Sequence, residues 1–206
     1  MERVNAALRH VPTWLVYLAG ALWAAWLFWQ AITGAIGVDP VRELEHELGI
    51  RGLQLLILGL AITPARRFLG LNLMRFRRAV GLTAFGFVTL HLLAWLVFDI
   101  GLDWMLAWAD LRKRPYVTIG MLGFALLIPL ALTSSNAAIR RLGPRWRQLH
   151  RLAYPAGLAG AIHYVMVVKA WPTQPLVYLG LVAGLLLLRL VPKRTNRRFA
   201  QAGSKG

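Results

Sequence analysis

The sequence predicts an all-α integral membrane protein, a bundle of six transmembrane helices with both termini in the cytoplasm. The chain has 206 residues, of which 58% are hydrophobic, and its mean hydropathy is +0.55. Its 24 Lys and Arg residues against 8 Asp and Glu give a formal net charge of +16. A soluble nucleic-acid-binding protein with that charge is rarely so apolar, whereas apolar spans and basic loops coexist in a membrane protein. We therefore expect no nucleic-acid partner.

Six apolar stretches follow one another along the chain, each close to the roughly 17–25 residues that a spanning helix needs. The first is preceded by Arg3 and Arg9, as in a signal peptide, but it is too long for one and no small-residue cleavage site follows. We expect it to be a retained helix. The six predicted spans are residues 13–32, 48–65, 79–98, 115–133, 149–168 and 175–191.

The segments outside the spans are short. Residues 34–49 contain DPVRELEHELG, in which Asp39 and Pro40 predict the start of a short amphipathic helix in an outer loop. We expect His46 on this helix, and His10 near the inner surface, to be ordinary surface histidines. The spans together form one domain, residues 1–192, and the basic tail, residues 193–206, is predicted to be disordered.

The distribution of charge predicts the orientation. With both termini inside, the inner segments hold 18 basic residues and one acid, a net charge of +17, and the outer segments hold 6 basic residues and 7 acids, a net charge of −1. Basic residues accumulate on the cytoplasmic side of membrane proteins. The third and fifth predicted spans then both run from inside to outside.

Two histidines lie within these parallel spans, His91 in the third and His163 in the fifth, both in the outer half of the membrane. The predicted spans contain no Asp or Glu to pair with them. Two imidazoles that face each other at one depth can hold a haem iron from both sides. The alternative is two separate histidines, each hydrogen-bonded to a backbone carbonyl or a hydroxyl. Nearby glycines leave room for a ring or for helix packing: Gly81, Gly86, Gly157 and Gly160.

A second, inner site is suggested by His150, which lies about 20 Å of helix rise inward of His163. It is either a ligand of a second haem or an interfacial histidine in a solvated loop. Arg77 occupies the matching inner position on the third span, and inner arginines suit a haem propionate or a flavin phosphate. The chain has no Cys, which excludes thiol catalysis, iron–sulfur clusters and covalent c-type haem attachment.

Several motifs occur in order along the chain: GVDPVRELEHELG, LAITPARR, RFRRAVGLTAFGFVTLHL, RPYVTIG, LALTSS, LGPRWRQLHRLAY and IHY. With these motifs, nearly the whole chain resembles the MsrQ (YedZ) family. Members of that family are haem-binding membrane subunits related to ferric reductase and NADPH oxidase membrane domains.

The resemblance implies one or two b-type haems held by His91, His163 and His150, with Arg77 where the oxidase membrane domains have a histidine. It also implies FMN, for which no residues can be assigned. The implied partners are a periplasmic molybdenum-cofactor subunit that reduces methionine sulfoxide in proteins, and the quinone pool or a cytoplasmic flavin reductase as electron donor. The implied location is the bacterial inner membrane, where the chain carries electrons and another subunit performs the sulfoxide reduction.

Two other hypotheses remain open at this stage. One is a ferric reductase-like or oxidase-like conduit that passes electrons to metal ions or oxygen. The other is a non-enzymatic membrane protein, a small transporter or a haem-handling chaperone. In each case the basic inner surface suits an acidic cytoplasmic donor or anionic membrane lipid.

Overall fold

A computed structural model describes residues 1–168 and 173–191, and all regular secondary structure in those residues is helical. The predicted tail, residues 193–206, lies outside the described residues. Three short turns connect some of the helices, a 3₁₀ turn at Met74–Phe76, a π-helical turn at Trp95–Asp99 and a 3₁₀ turn at His150–Leu152. The helices are α1 Glu2–His10, α2 Trp14–Thr33, α3 Pro40–Phe68, α4 Arg77–Ala94, α5 Trp104–Lys113, α6 Pro115–Leu132, α7 Asn136–Leu142, α8 Pro144–Leu149, α9 Ala153–Val167 and α10 Thr173–Leu190.

Within residues 1–168 and 173–191, five helical segments are long and apolar enough to cross a membrane, in agreement with the prediction of an all-α membrane protein. They are α2, α3, α4 with its flanking turns, α6 and α10. The fifth predicted span is shorter in the structure, because α9 begins only at Ala153, after the separate helix α8 and a 3₁₀ turn. Its 15 residues rise about 22 Å, less than the roughly 30 Å of a bilayer core.

The prediction of a separate amphipathic helix before the second span was wrong, because both belong to the single 29-residue helix α3. The predicted start is correct, since the Asp39 carboxylate accepts a hydrogen bond from the backbone N–H of Arg42 at 3.2 Å and Pro40 follows it. The helix continues through Gly49 because Leu44 and Leu48 are buried and extend the packed face of the span.

Inside α3, Pro64 has no backbone N–H, so the carbonyl of Leu60 loses its intrahelical partner. Arg189 of α10 replaces that partner, because its Nη2 donates to the Leu60 carbonyl at 2.8 Å, while its Nη1 donates to the hydroxyl of Tyr154 in α9. In a membrane the backbone needs such internal partners. The arginine therefore joins α3, α9 and α10.

Two closely packed helix pairs, α3 with α4 and α6 with α9, form the centre of the bundle. Small residues let the backbones approach, as at Gly52 of α3 against Val88 of α4 and at Gly123 of α6 against Ala159 of α9. Helix α2 packs on α3 and α4 through Leu27 and leaves its tryptophans exposed, as expected of a lipid-facing helix: Trp14, Trp23, Trp26 and Trp29.

Charge divides the bundle into two ends. The acidic end holds the first turns of α3 and the segment from the end of α4 to the start of α6, with the residues Asp39, Glu43, Glu45, Glu47, Asp99, Asp103 and Asp110. The basic end holds the start of α4, the start of α9 and the end of α10, with Arg77, His150 and Arg189 among its residues.

We predict that Gly52→Ala destabilises the bundle. A Cβ at position 52 would lie 2.8 Å from Val88 Cγ2 and 3.4 Å from the Val88 backbone nitrogen, so α3 and α4 would have to separate. Overpacking of this kind costs about 1–3 kcal/mol, which the thermal unfolding midpoint of the detergent-purified protein would report. Gly81→Ala on α4 is the control, because nothing lies within 4 Å of its Cβ position. Equal midpoints for the two variants would contradict the close approach.

Candidate functional site

The structure brings His91 of α4 and His163 of α9 together at the acidic end of the bundle. Their ring centroids are 6.1 Å apart, and the ring planes are nearly perpendicular, at 77°. Both side chains are only partly buried, because both line one cavity between the helices. The sequence predicted that these histidines lie at a common depth, and their proximity agrees with it.

A backbone carbonyl orients each imidazole. The Nδ1 of His91 lies 2.8 Å from the carbonyl oxygen of Glu45, and the Nδ1 of His163 lies 2.7 Å from that of Tyr116. A carbonyl only accepts, so each Nδ1 donates its proton, and in the neutral imidazole the lone pair is on Nε2. The facing pair and the carbonyl-bonded histidines, which the sequence left as alternatives, are therefore present together.

A glycine makes room for each ring. A Cβ at Gly49 of α3 would lie 3.0 Å from the Nδ1 of His91, and a Cβ at Gly120 of α6 would lie 2.8 Å from the Nδ1 of His163. Each glycine is four residues beyond the carbonyl that binds the ring, where a helix places it next to that carbonyl. The same local arrangement therefore occurs twice, once in each central helix pair.

The cavity that the two imidazoles share has a volume of about 1010 Å³, at the upper end of the roughly 300–1,000 Å³ of small-molecule and cofactor sites. Its deep part is lined by apolar side chains and glycines of α3, α4, α6 and α9: Leu53, Leu56, Val88, Gly123, Phe124, Leu127, Ala156 and Gly160. Its other side is lined by charged residues of the acidic end: Asp39, Arg42, Glu43, Glu45, Asp99 and Arg114.

The spacing of the rings fits one metal ion between them. A metal–imidazole bond is about 2 Å, and the ring centre lies about 1 Å beyond the nitrogen, so two axial imidazoles on one ion have centroids about 6 Å apart, as observed. No group of three or more His, Cys, Asp or Glu side chains that could hold a metal occurs in residues 1–168 and 173–191. Two imidazoles at this spacing suit a cofactor that supplies the other metal ligands, as a porphyrin does.

Three residues that line the cavity were not anticipated from the sequence: His46, Arg114 and Tyr164. His46 of α3 lines the cavity, and its ring centroid lies 5.8 Å from that of Tyr164 of α9. Arg114, also at the cavity, forms an ion pair of 3.0 Å with Asp110, whose side chain is buried. The sequence analysis expected His46 to be an ordinary surface histidine. Its spacing from Gly49 and Leu53, on one face of a continuous helix, is the sequence signal that would have placed it at the cavity.

The structure places His150 away from this cavity, in the 3₁₀ turn at the basic end. Its Nε2 is hydrogen-bonded to the Thr133 hydroxyl at 3.1 Å, and its ring stacks on Trp146 with centroids 4.0 Å apart. Arg77 is the first residue of α4, at the same basic end. The four predicted site residues thus separate into one pair at each end.

Comparisons with known proteins agree with this architecture. Residues 48–161, more than half of the chain, match the family described as the ferric reductase-like transmembrane component. One relative is a protein of Brucella anthropi, named protein-methionine-sulfoxide reductase heme-binding subunit MsrQ. It is 47% identical to this chain over 90% of this chain and 84% of its own length. Proteins of the same name from Brucella ovis and Brucella canis are 48% identical over 86% of this chain and 80% of theirs. The chain therefore belongs to the ferric reductase-like transmembrane family and, within it, to the family of MsrQ haem-binding subunits.

Proposed function

We propose that the chain binds haem b between His91 and His163 and carries electrons through the membrane to a methionine sulfoxide reductase. The observation that carries the proposal is the 6.1 Å spacing of two imidazoles whose Nδ1 atoms are both held by backbone carbonyls. The name of the relatives, heme-binding subunit, supports the same cofactor.

In this proposal, His91 and His163 would hold the haem, which would supply one-electron redox chemistry at this site. The carbonyls of Glu45 and Tyr116 keep each ring in place and make it a better electron donor to a metal, as hydrogen-bonded outer partners of ligating histidines do. The apolar wall formed by Leu53, Val88 and Leu127 excludes water from the deep part of the cavity. The Arg114 guanidinium, at the charged side, suits a carboxylate such as a haem propionate.

The orientation is part of the proposal. Both termini are assigned to the cytoplasm of a bacterium, the acidic end faces the periplasm, and the chain crosses the inner membrane six times, with α9 as the fifth crossing. The charge difference of +17 against −1 supports this assignment. Helix α9 is flanked by further ordered residues from Pro144 onward, which add length to its 15 residues.

The proposed electron acceptor is a periplasmic subunit that carries a molybdenum cofactor and reduces methionine sulfoxide in oxidised proteins. The name of the relatives supports a reductase partner, and the position of the cavity at the acidic end supports a periplasmic one. The proposed donors are the quinone pool or a cytoplasmic flavin reductase, with FMN as a second cofactor that has no assigned residues. The chain has no Cys with which to reduce a sulfoxide itself.

A second haem is proposed at the basic end, with His150 as its ligand and Arg77 beside it. For His150 to bind iron through Nε2, its hydrogen bond to Thr133 has to open. The proposed second haem thus differs from the first, whose histidines keep Nε2 free while Nδ1 is bound to a carbonyl.

We predict that His91→Ala and His163→Ala each lower bound haem about tenfold or more, because losing even an outer partner of a metal ligand typically costs 10–100-fold in affinity. The measurement is haem per chain in the purified protein, with the reduced absorption spectrum. His10→Ala is the control, since His10 is exposed and bonds only to its own helix at the Ala6 carbonyl. Normal haem content in both variants would exclude the axial pair.

We also predict that Gly120→Ala weakens haem binding about 10–100-fold and shifts the haem midpoint potential, although it removes no ligand. The added Cβ would displace His163 from the Tyr116 carbonyl, which is its outer partner. Gly86→Ala is the control, because nothing lies within 4 Å of its Cβ position. An unchanged affinity and potential in Gly120→Ala would show that the carbonyl does not tune the ligand.

For the orientation, we predict that green fluorescent protein fused to either terminus fluoresces, whereas alkaline phosphatase fused there is inactive, because only the periplasm activates the phosphatase. Phosphatase inserted in the segment around Gly101, at the acidic end, should be active. Active phosphatase at either terminus would reverse the assignment.

A further inference from the structure

A second cavity lies on the side of the bundle, between α2 and the first turns of α3 at the acidic end. Its volume is about 590 Å³, within the roughly 300–1,000 Å³ of small-molecule sites. We call it the side crevice. One wall is mostly apolar and comes from α2, and the other is charged and comes from α3, with the residues Leu22, Trp23, Trp26, Gln30, Glu43 and Glu47 among those that line it.

The side crevice carries one negative charge more than it balances. Arg51, which also lines it, donates from Nη1 to the side chain of Gln54 at 3.0 Å and forms an ion pair through Nη2 with Glu47. Its guanidinium carbon lies 5.0 Å from the centre of the Trp23 ring. Arg51 is therefore held in place and offsets Glu47. The two carboxylates and one guanidinium sum to −1, and Glu43 is the carboxylate without a cation.

Two polar side chains that face each other across the side crevice have no partner in the part of the chain that the structure describes. Gln30 of α2 and Glu43 of α3 are both half-buried, and neither side chain has a hydrogen bond or an ion pair to a described residue. Glu43 is fixed against the loop before α3, because its Cγ lies 2.9 Å from the Cβ position of Gly37. Partly buried acceptors without donors are costly, so a ligand that brings N–H donors and positive charge would be bound favourably.

The depth of the side crevice fits a lipid. Gln30 lies three residues before the end of α2 at Thr33, and Leu22 lies eleven residues before it, about 4 Å and 16 Å of helix rise. The headgroup layer of a bilayer is about 5–8 Å thick on each side. The polar part of the crevice is therefore at the level of headgroups, and the part at Leu22 and Trp23 is at the level of acyl chains. Trp23 and Trp26 are exposed on the lipid-facing side of α2.

We propose that the side crevice binds a phospholipid whose headgroup carries a primary ammonium, as phosphatidylethanolamine does. The ammonium has three N–H donors for the Glu43 carboxylate and the Gln30 amide oxygen. The quaternary ammonium of phosphatidylcholine has none, and the net negative charge of phosphatidylglycerol is repelled by Glu43. The site is separate from the two imidazoles, although Glu43 also borders their cavity, and it stands whether or not haem is bound there.

The test titrates the full chain in neutral detergent with palmitoyl-oleoyl phosphatidylethanolamine, phosphatidylcholine or phosphatidylglycerol, and native mass spectrometry gives an apparent Kd for the first bound lipid. We expect phosphatidylethanolamine to bind about tenfold or more tightly than phosphatidylcholine, as charge-assisted hydrogen bonds imply, and phosphatidylglycerol to bind most weakly. A soluble probe, glycerophosphoethanolamine, has the same headgroup without chains and should not compete. Equal binding of the three lipids, tightest binding of phosphatidylglycerol, or competition by the soluble probe would overturn the proposal.

Glu43→Gln should abolish the preference for phosphatidylethanolamine over phosphatidylcholine, because it removes the charge and keeps the size of the side chain. Asp103→Asn is the matched control, since it removes the same charge at the same end from an exposed residue that lines neither cavity. Asp103 accepts from the N–H groups of Met105 and Leu106 at the start of α5, and Asn caps a helix equally well. Equal loss of preference in the two variants would show a diffuse effect of charge and contradict the site.

Should Glu43→Gln fail to fold, Gln30→Leu tests the opposite wall, since it removes the amide without exposing a new polar group to lipid. It should weaken phosphatidylethanolamine and leave phosphatidylcholine nearly unchanged, so the ratio of the two Kd values separates a headgroup contact from general damage to the bundle. An unchanged ratio in Gln30→Leu would also overturn the proposal.

Discussion

The central interaction of this molecule is the hydrogen bond from an imidazole Nδ1 to the carbonyl of a neighbouring helix, next to a glycine of that helix. It occurs twice, between His91 and Glu45 beside Gly49, and between His163 and Tyr116 beside Gly120. Each bond fixes one tautomer and directs Nε2 away from the carbonyl. It also requires that α4 lie close on α3 and α9 close on α6, which are the two most closely packed helix pairs. The packing of the bundle and the geometry of the cavity therefore depend on the same two contacts.

Much of this site could be predicted from the sequence, because the distribution of basic residues and the lengths of the apolar spans determine the direction of each helix and the depth of its residues. The excess of basic residues in the inner segments predicts that the third and fifth spans run in the same direction. The number of residues from the inner end of each span then predicts that His91 and His163 lie at the same depth. The structure puts their rings 6.1 Å apart. The glycines were not predictable in the same way. Gly81 and Gly86, on the helix of His91, have nothing within 4 Å, whereas Gly49 and Gly120, which make room for the rings, are on the partner helices.

The extent of α3 was missed for a related reason. Four acids between Asp39 and Glu47 are polar enough to suggest a loop, and the hydropathy of the sequence falls there. Burial of Leu44 and Leu48 against neighbouring helices outweighs that local signal, so the helix begins at Pro40. Because the helix is continuous, His46 and Gly49 share the face that lines the cavity. Which face of a polar segment is buried depends on its tertiary partners, and those are absent from a hydropathy profile.

Helix α3 connects the two ends of the molecule. Near its start, the Glu45 carbonyl holds His91, and near its end, the Leu60 carbonyl, freed by Pro64, holds Arg189. The two carbonyls are 15 residues apart, about 22 Å along the axis. The first is already bonded within the helix and accepts an additional donor, whereas the second has lost its intrahelical donor to proline. One helix thus positions a neutral imidazole at the acidic end and a cationic guanidinium at the basic end. A guanidinium is always charged, so the basic end is suited to anions. An imidazole that donates from Nδ1 keeps a lone pair on Nε2, so the acidic end is suited to a metal.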